Sequence, residues 1–400
     1  MKLQLVLILL CFSVFSVIYA QETDAPKFGN GLINLKGKDS TWAMKVGFQL
    51  QFQGMAQWEE QNSSFSDVES NFLIRRARLK LDGFAYSPKL TYKIALGLSN
   101  RDMSGASVYT SNAPRYILDA VMKWNFYDNF ELWFGQTKLP GNREHVISST
   151  NLQFVDRSLL DSNFTIDRDL GIQLRHHFKF SEKFIVKEAF ALSQGEGRNV
   201  TTGNLGGFQY TSQLEVLPFG EFTKKGDYVG GDVYRESTPK LALAISYDFN
   251  NDAVKTRSNQ GAYMVTDTGL HKSNISTLVV DAMFKYQGLS FMGEYAHRTA
   301  SDPFAKNSDG SLTGDEVNIG KGLNLQAGYL FVNNWEVSAR FTNIAFDQVI
   351  TGRDLENQYT LGVSRYILGH KLKVQTDMSY LAMNTSSDQL MWRLQFAIDF

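Results

Sequence analysis

The sequence predicts an all-β protein, a transmembrane antiparallel β-barrel of about 16 strands. Three observations predict it. Apolar residues recur at every second position over long segments, short and long connections alternate along the chain, and nothing after residue 20 is apolar for the length of a membrane helix. Such a helix needs about 20 apolar residues, so any later membrane insertion has to be by strands. Composition agrees with this. Forty Lys+Arg stand against 41 Asp+Glu, aromatic residues make up 13% of 400, and mean hydropathy is −0.24. So even a balance excludes a charge-driven nucleic-acid binder, and a single cysteine excludes a disulfide scaffold. The slightly negative hydropathy suits a barrel with a wet interior and not a bundle of membrane helices.

In chain order, Lys2 precedes an apolar run from Leu3 to Val17 that ends at Ala20. This reads as a signal peptide, residues 1–20, whose removal takes away Cys11, the only cysteine. Residues 21–40 are then a short periplasmic segment and 41–400 the barrel. Its first strand is plain in Trp42, Met44, Val46, Phe48, Leu50 and Phe52, which alternate with Lys45, Gln49, Gln51 and Gln53. A helical period would put those polar residues on the face that Trp42 and Val46 begin. The same period recurs from Leu90 to Leu98, Tyr116 to Phe126, Leu241 to Phe249, Leu323 to Phe331 and Trp335 to Phe341. Tight turns are expected at Ser87-Pro88, Asp128-Asn129, Ser181-Glu182-Lys183, Gln287-Gly288, Asn333-Asn334 and Gly369-His370, with long polar loops between them. That alternation is the pattern of an outer-membrane barrel whose short turns face the periplasm. One segment, 218–239, falls where a short turn is due. It reads as a periplasmic excursion or as an extra hairpin that would raise the count to 18.

The apolar faces are expected to meet lipid and the polar faces to line a lumen. Trp42, Trp124, Tyr127, Trp335, Tyr366 and Trp392 fall near strand ends, where interfacial aromatic girdles lie. At the end of the sequence Trp392, Leu394, Phe396, Ile398 and Phe400 alternate with polar or small residues. This resembles the signal by which the barrel-insertion machinery takes up an outer-membrane strand, through strand pairing.

On the second strand Arg76, Arg78, Lys80 and Asp82 share the inward parity, while Arg75 falls on the lipid side and is expected to snorkel at an interface. The inward row reads either as a wall ladder paired with neighbouring carboxylates or as an attractor of anions. Lys93, Lys123 and Arg175 also point inward in this register, which carries more basic than acidic side chains. A weak preference for anions, phosphate-like ones among them, is the expected consequence.

The run Phe72-Leu73-Ile74-Arg75-Arg76-Ala77-Arg78-Leu79-Lys80-Leu81-Asp82-Gly83 resembles the second-strand motif of the phosphate-selective porin O and P family. Gly135-Gln136-Thr137-Lys138-Leu139-Pro140 resembles a second motif, with Glu144, Ser148-Ser149, Phe154-Val155-Asp156-Arg157-Ser158 and Arg168-Asp169-Leu170-Gly171 after it. The resemblance implies a passive channel, a porin in the outer membrane of a Gram-negative bacterium, with a constriction loop folded into the lumen. Residues 139–167 are the expected loop, and Arg143, Glu144, His145, Asp156, Arg157 and Asp161 would bring charges of both signs to the narrowing. No counterpart of the family's stacked arginines and lysine cluster is found, so phosphate specificity is not carried over. The expected partners are outer-membrane lipid and lipopolysaccharide, the insertion machinery, small ions and solutes, and no nucleic acid. A homotrimer is compatible with the fold, and no lipid-face patch is assigned to one.

Signals for chemistry are missing. The six histidines show no metal-ligand spacing, and His176 and His177 would point to opposite faces of one strand. Without a nucleophile elbow, a P-loop or a dinucleotide fingerprint, no cofactor, metal or enzymatic activity is expected. The rival readings are a plugged barrel serving as an adhesin or structural surface protein, a barrel-embedded Ser/His hydrolase, and a soluble secreted sandwich.

Overall fold

A computed structural model describes residues 25–61, 64, 65 and 67–400; the expected signal peptide, 1–20, lies outside the described residues. The barrel strands are β1 (Trp42–Gln61), β2 (Glu69–Ala85), β3 (Ser87–Gly97), β4 (Ile117–Tyr127), β5 (Phe130–Lys138), β6 (Arg168–Ser181), β7 (Phe184–Ser193) and β8 (Gln209–Leu217). There follow β9 (Lys240–Ala253), β10 (Ser273–Tyr286), β11 (Leu289–Ala300), β12 (Gly320–Leu330), β13 (Trp335–Phe346), β14 (Glu356–Leu368), β15 (Leu372–Met383) and β16 (Gln389–Asp399). Each pairs antiparallel with its neighbours in sequence, and β1 closes the ring on β16 from Gln49 opposite Asp399 to Glu59 opposite Gln389. The protein is a closed barrel of 16 strands, a form in which no sheet edge is left unpaired.

Burial runs opposite to that of a soluble sandwich. Gln49 and Glu336 are 0% exposed, whereas Phe72 is 94% and Phe396 54% exposed. A surface this apolar around a polar interior is what lipid outside and water-derived polarity inside require. Trp392 and Phe396 lie on this outer face, and the Phe400 ring meets Phe28 edge-on at 5.3 Å. Residues Ile33–Lys36 form a short strand that turns back onto the start of β1, Ile33 opposite Val46.

At one end the connections span one to four residues, with a single exception; those at the other end are all longer, and two carry small two-stranded sheets outside the ring. The first tight turn sits at Tyr86, with φ 65°, rather than at Ser87-Pro88; Pro88 is the second residue of β3, at the strand's start, where a missing N–H is tolerated.

Three expectations are corrected. Arg75 does not face lipid: opposite Gln51 and Phe52 the partner strand skips from Arg76 to Ile74, and this bulge turns Arg75 inward beside Arg76. Below the bulge the parity of β2 is restored with Phe72 and Ile74 outward. Segment 218–239 is neither an outward excursion nor a hairpin; it is an irregular stretch with one 3-10 turn, Thr223–Tyr228, whose Phe222, Asp227, Val229, Asp232 and Glu236 are buried. The count therefore stays at 16. Tyr366 is not a girdle residue, because it lies on the inward parity of β14 and donates to Glu336 Oε2 at 2.6 Å.

Candidate functional site: the constricted lumen

Residues 139–167 leave the end of β5 at Pro140-Gly141 and run down inside the barrel. Two short helices, Arg143–Val146 and Leu159–Phe164, shape this loop, the second capped by Ser158. The wall has inward apolar residues waiting for it. Leu139, Leu160, Phe164 and Ile166 pack with Ala191, Val279, Ala296, Ile344 and Phe346. Ile147 and Leu152 join Ile185, Leu217, Phe222, Ala242, Met283 and Met292. Full burial of such side chains contributes about 2 kcal/mol each, which draws the loop inward.

Ion pairs then fix its position. Arg143 Nη2 donates to Glu215 Oε1 at 2.7 Å and its Nε to Asp281 Oδ1 at 2.5 Å. Burial alone would lower the Arg143 pKa, but these two carboxylates outweigh it and raise it above the ordinary value. Arg75 grips Asp156 through two bonds, at 2.8 and 2.9 Å, and Arg76 adds a third at 3.1 Å. Arg340 donates to the Asp156 carbonyl and lies 3.5 Å from Glu144, whose carboxylate also receives the Ser158 hydroxyl. His145 sits between two acids, Nδ1 at 3.0 Å from Asp161 and Nε2 at 2.5 Å from Asp167. Arg157 donates to the carbonyls of Glu144, His145 and Ile147, and Lys138 to that of His145.

All six charged loop residues expected from the sequence are therefore brought into the lumen, but mostly as anchors. Of them only Arg143 lines the remaining cavity. The wall residues separate likewise. Arg76 faces inward yet is buried beneath the loop, held by Gln51 and Asp156. Arg78 is clamped by Asp102 at 2.6 Å, and Lys80 by Asp399 at 2.8 Å, so both halves of the sequence reading have a place: the row is paired, and Arg78 and Lys80 still border open space. Lys93 and Arg168 share Asp119, at 2.9 and 3.0 Å. Lys123 and Arg175 carry no ion pair among the described residues. They lie over the Trp133 ring, at 3.6 and 4.1 Å from its centroid.

The segment 218–239, which the sequence left undecided, completes the narrowing from the short-turn end. Gly230 N donates to Asn151 O at 2.7 Å, and Lys285 Nζ to the carbonyls of Gly226 and Val229. The contact needs glycine, because a Cβ at 230 would stand 2.5 Å from Gln153 N. Loop and segment together leave a cavity of about 720 Å³ beside β1–β8, reaching from Lys138 and Arg168 to the half-buried Asn129 and the exposed Lys224 and Lys225 at the mouth. Eleven Lys/Arg and seven Asp/Glu line it.

The loop carboxylates set a pH expectation. Burial would raise Asp156, but Arg76 and Arg75 hold it below the carboxylate range; His145 does the same for Asp161 and, with Arg168, for Asp167. A depressed folded pKa adds stability above the unfolded value, about 3.9, and loses it as pH falls through the folded one. Burial raises Glu144, so its protonation in acid costs nothing. Single-channel conductance is thus expected to stay level from neutrality down to about pH 4 and to rise below it as the loop loosens. A rise already complete by about pH 5 would refute this.

Comparison with known proteins agrees with the architecture. Residues 43–391 match the family described as phosphate-selective porin O and P. An uncharacterized protein of Aquifex aeolicus (strain VF5) is 25% identical over 337 residues, 76% of this chain and 74% of its own length. Among solved structures, the outer membrane channel DcaP of Acinetobacter baumannii superposes with TM-score 0.53 at 11% identity, covering 92% of this chain and all of that one (100%). The anion-selective porin from Comamonas acidovorans gives 0.51 at 10% identity, covering 89% and 100%. At such identities the two structures speak for the fold, and the family match carries the rest. The chain belongs to the phosphate-selective porin O and P family and is an outer-membrane porin.

Proposed function

We propose that this porin passes ions and small hydrophilic solutes by passive diffusion, with a weak preference for anions, and acts on them by charge alone without a chemical step. The observation that carries the preference is the excess of cations on the cavity wall, eleven against seven. The carboxylates there are largely spent: Asp119 on Lys93 and Arg168, Glu215 on Arg143 and Lys187, and Asp281 on Arg143. Arg78 and Lys80 are likewise paired, with Asp102 and Asp399, and among the described residues what remains on the wall without an opposite charge is Lys123, Lys138, Arg175, Lys224 and Lys225 against Glu131 and Glu188, a positive balance. A positive potential focused in a narrow, low-dielectric passage raises the local anion concentration. The test is reconstitution of the refolded protein in a planar bilayer, with the reversal potential read across a potassium chloride gradient. Ohmic steps reversing on the chloride side are expected; reversal on the potassium side would overturn the preference.

A further inference from the structure

The connection between β8 and β9 is 22 residues long at an end of the barrel where the others need four or fewer. It is tied down along its length. Phe222 packs with Ile147 and Leu152 of the constriction loop, Thr223 donates through its N and Oγ to Glu236 at 2.7 and 3.0 Å, and Gly230 N bonds to Asn151 O. Farther on, Asp232 accepts from Glu236 N and Gly288 N, and Arg235 donates to the carbonyls of Leu330 and Phe331.

Its tip is the strained part. Lys224 and Lys225 both sit in the left-handed region, at φ 51°, ψ 40° and φ 57°, ψ 44°. Two consecutive left-handed residues with side chains are unfavourable, and a turn needed only for its shape would be made more readily with glycine or asparagine. Strain of this kind, held by well-packed flanks, is most often kept where the side chains have a task. Both lysines are exposed and line the mouth of the cavity. Lys225 forms no ion pair among the described residues, and Lys224 has only the Tyr234 ring, 5.5 Å away. The acids beside them are committed elsewhere: Glu221 to Lys179 at 2.8 Å, Asp227 to Lys187 at 2.6 Å, and Glu236 to Thr223. On the wall of the same cavity stand Lys123 and Arg175, likewise without carboxylate partners.

We infer that segment 218–239 is a second selectivity element, inserted from the short-turn mouth, and that Lys224 and Lys225 are specificity-determining residues for small anions. The role rests on the anion preference proposed above and gives it a location: unpaired cations on the segment complement those on the wall, so an anion entering or leaving passes between them.

Glycine makes the test clean, because Lys224→Gly with Lys225→Gly removes the charges while relieving the backbone strain. The double variant and its counterpart Lys224→Arg with Lys225→Arg are refolded, checked for heat-modifiable migration on gels, and compared with the parent across a potassium chloride gradient. The glycine pair is expected to lower the chloride-to-potassium permeability ratio by about two- to threefold, with open steps retained, and the arginine pair to hold the parent ratio. A glycine pair that folds and reverses at the parent potential would overturn the inference while leaving the anion preference standing. A parent that itself reverses on the potassium side would remove the preference and the role together.

Discussion

Replacing Asp156 with alanine is expected to raise single-channel conductance and make it noisy, while the barrel itself stays folded. Asp156 holds the constriction loop to β2 through two bonds from Arg75 and one from Arg76, beside a single bond from Arg78 to the Ser149 hydroxyl. Truncation leaves two guanidinium groups side by side in a mostly buried site with no counter-charge. Breaking a buried pair from one side costs about 3–5 kcal/mol; Asp156 retains some exposure, which puts the loss near about 3 kcal/mol. The wall has strand pairing on every side, whereas the loop has only its anchors and its apolar face, so the loop absorbs the loss. Asp156→Asn keeps the shape and some acceptor capacity and is expected to fall between parent and alanine. Equal conductance, noise and thermal midpoint in parent and Asp156→Ala would show that the pair does not hold the loop.

Asp156 also marks how far the sequence could be read. The strands were legible because lipid and lumen each impose a period of two, and one greasy strand such as Trp42–Gln61 carries both signals. The family motif placed the loop. What could not be read is where the period breaks. At Arg75 one extra residue opposite Gln51 reverses the parity, and nothing in a count of alternating residues reveals it except the improbability of a charge in lipid. That improbability was visible, and snorkelling was the wrong way to resolve it. The 22 residues at 218–239 were visible as an anomaly of length, but their inward course depends on tertiary contacts: Phe222 reaching Ile147 and Leu152, and Gly230 reaching Asn151. The charges of the loop were legible as present, not as partnered. Glu144, Asp156, Arg157 and Asp161 could equally line an opening or brace a loop; the partners that decide for bracing lie far away in sequence for Glu144 and Asp156, at Arg340 and Arg75, and for Arg157 and Asp161 inside the loop itself, where only its fold brings them together.

The larger loss is expected at Arg143. Its guanidinium is buried between Glu215 and Asp281, and it also donates to the Asp227 carbonyl of the second constricting segment. In Arg143→Met the side-chain volume is roughly kept, so packing around Ile147 is spared, but the electrostatics are not. Glu215 retains Lys187 at 2.9 Å; Asp281 retains nothing, and one of its oxygens already lacks a partner. An uncompensated carboxylate in that position costs about 3–5 kcal/mol, and the same substitution removes one of the ties between the loop and segment 218–239, the bond to the Asp227 carbonyl, while Gly230 N keeps Asn151 O. The expected result is a lower thermal midpoint together with a conductance increase exceeding that of Asp156→Ala, since the loop loses two wall carboxylates and one bond to the second constricting segment at once. The cycle that isolates the cause is Arg143→Met combined with Asp281→Asn. Neutralising the orphan along with its partner removes the penalty, because an ion pair replaced on both sides is often close to neutral. The double variant is expected to recover most of the midpoint but not the parent conductance, as the loop still lacks its tie to the wall. If Asp281→Asn gave no recovery of stability on the Arg143→Met background, the loop would have to be held by its apolar contacts, with Leu139, Leu160 and Phe164 as the residues to truncate instead.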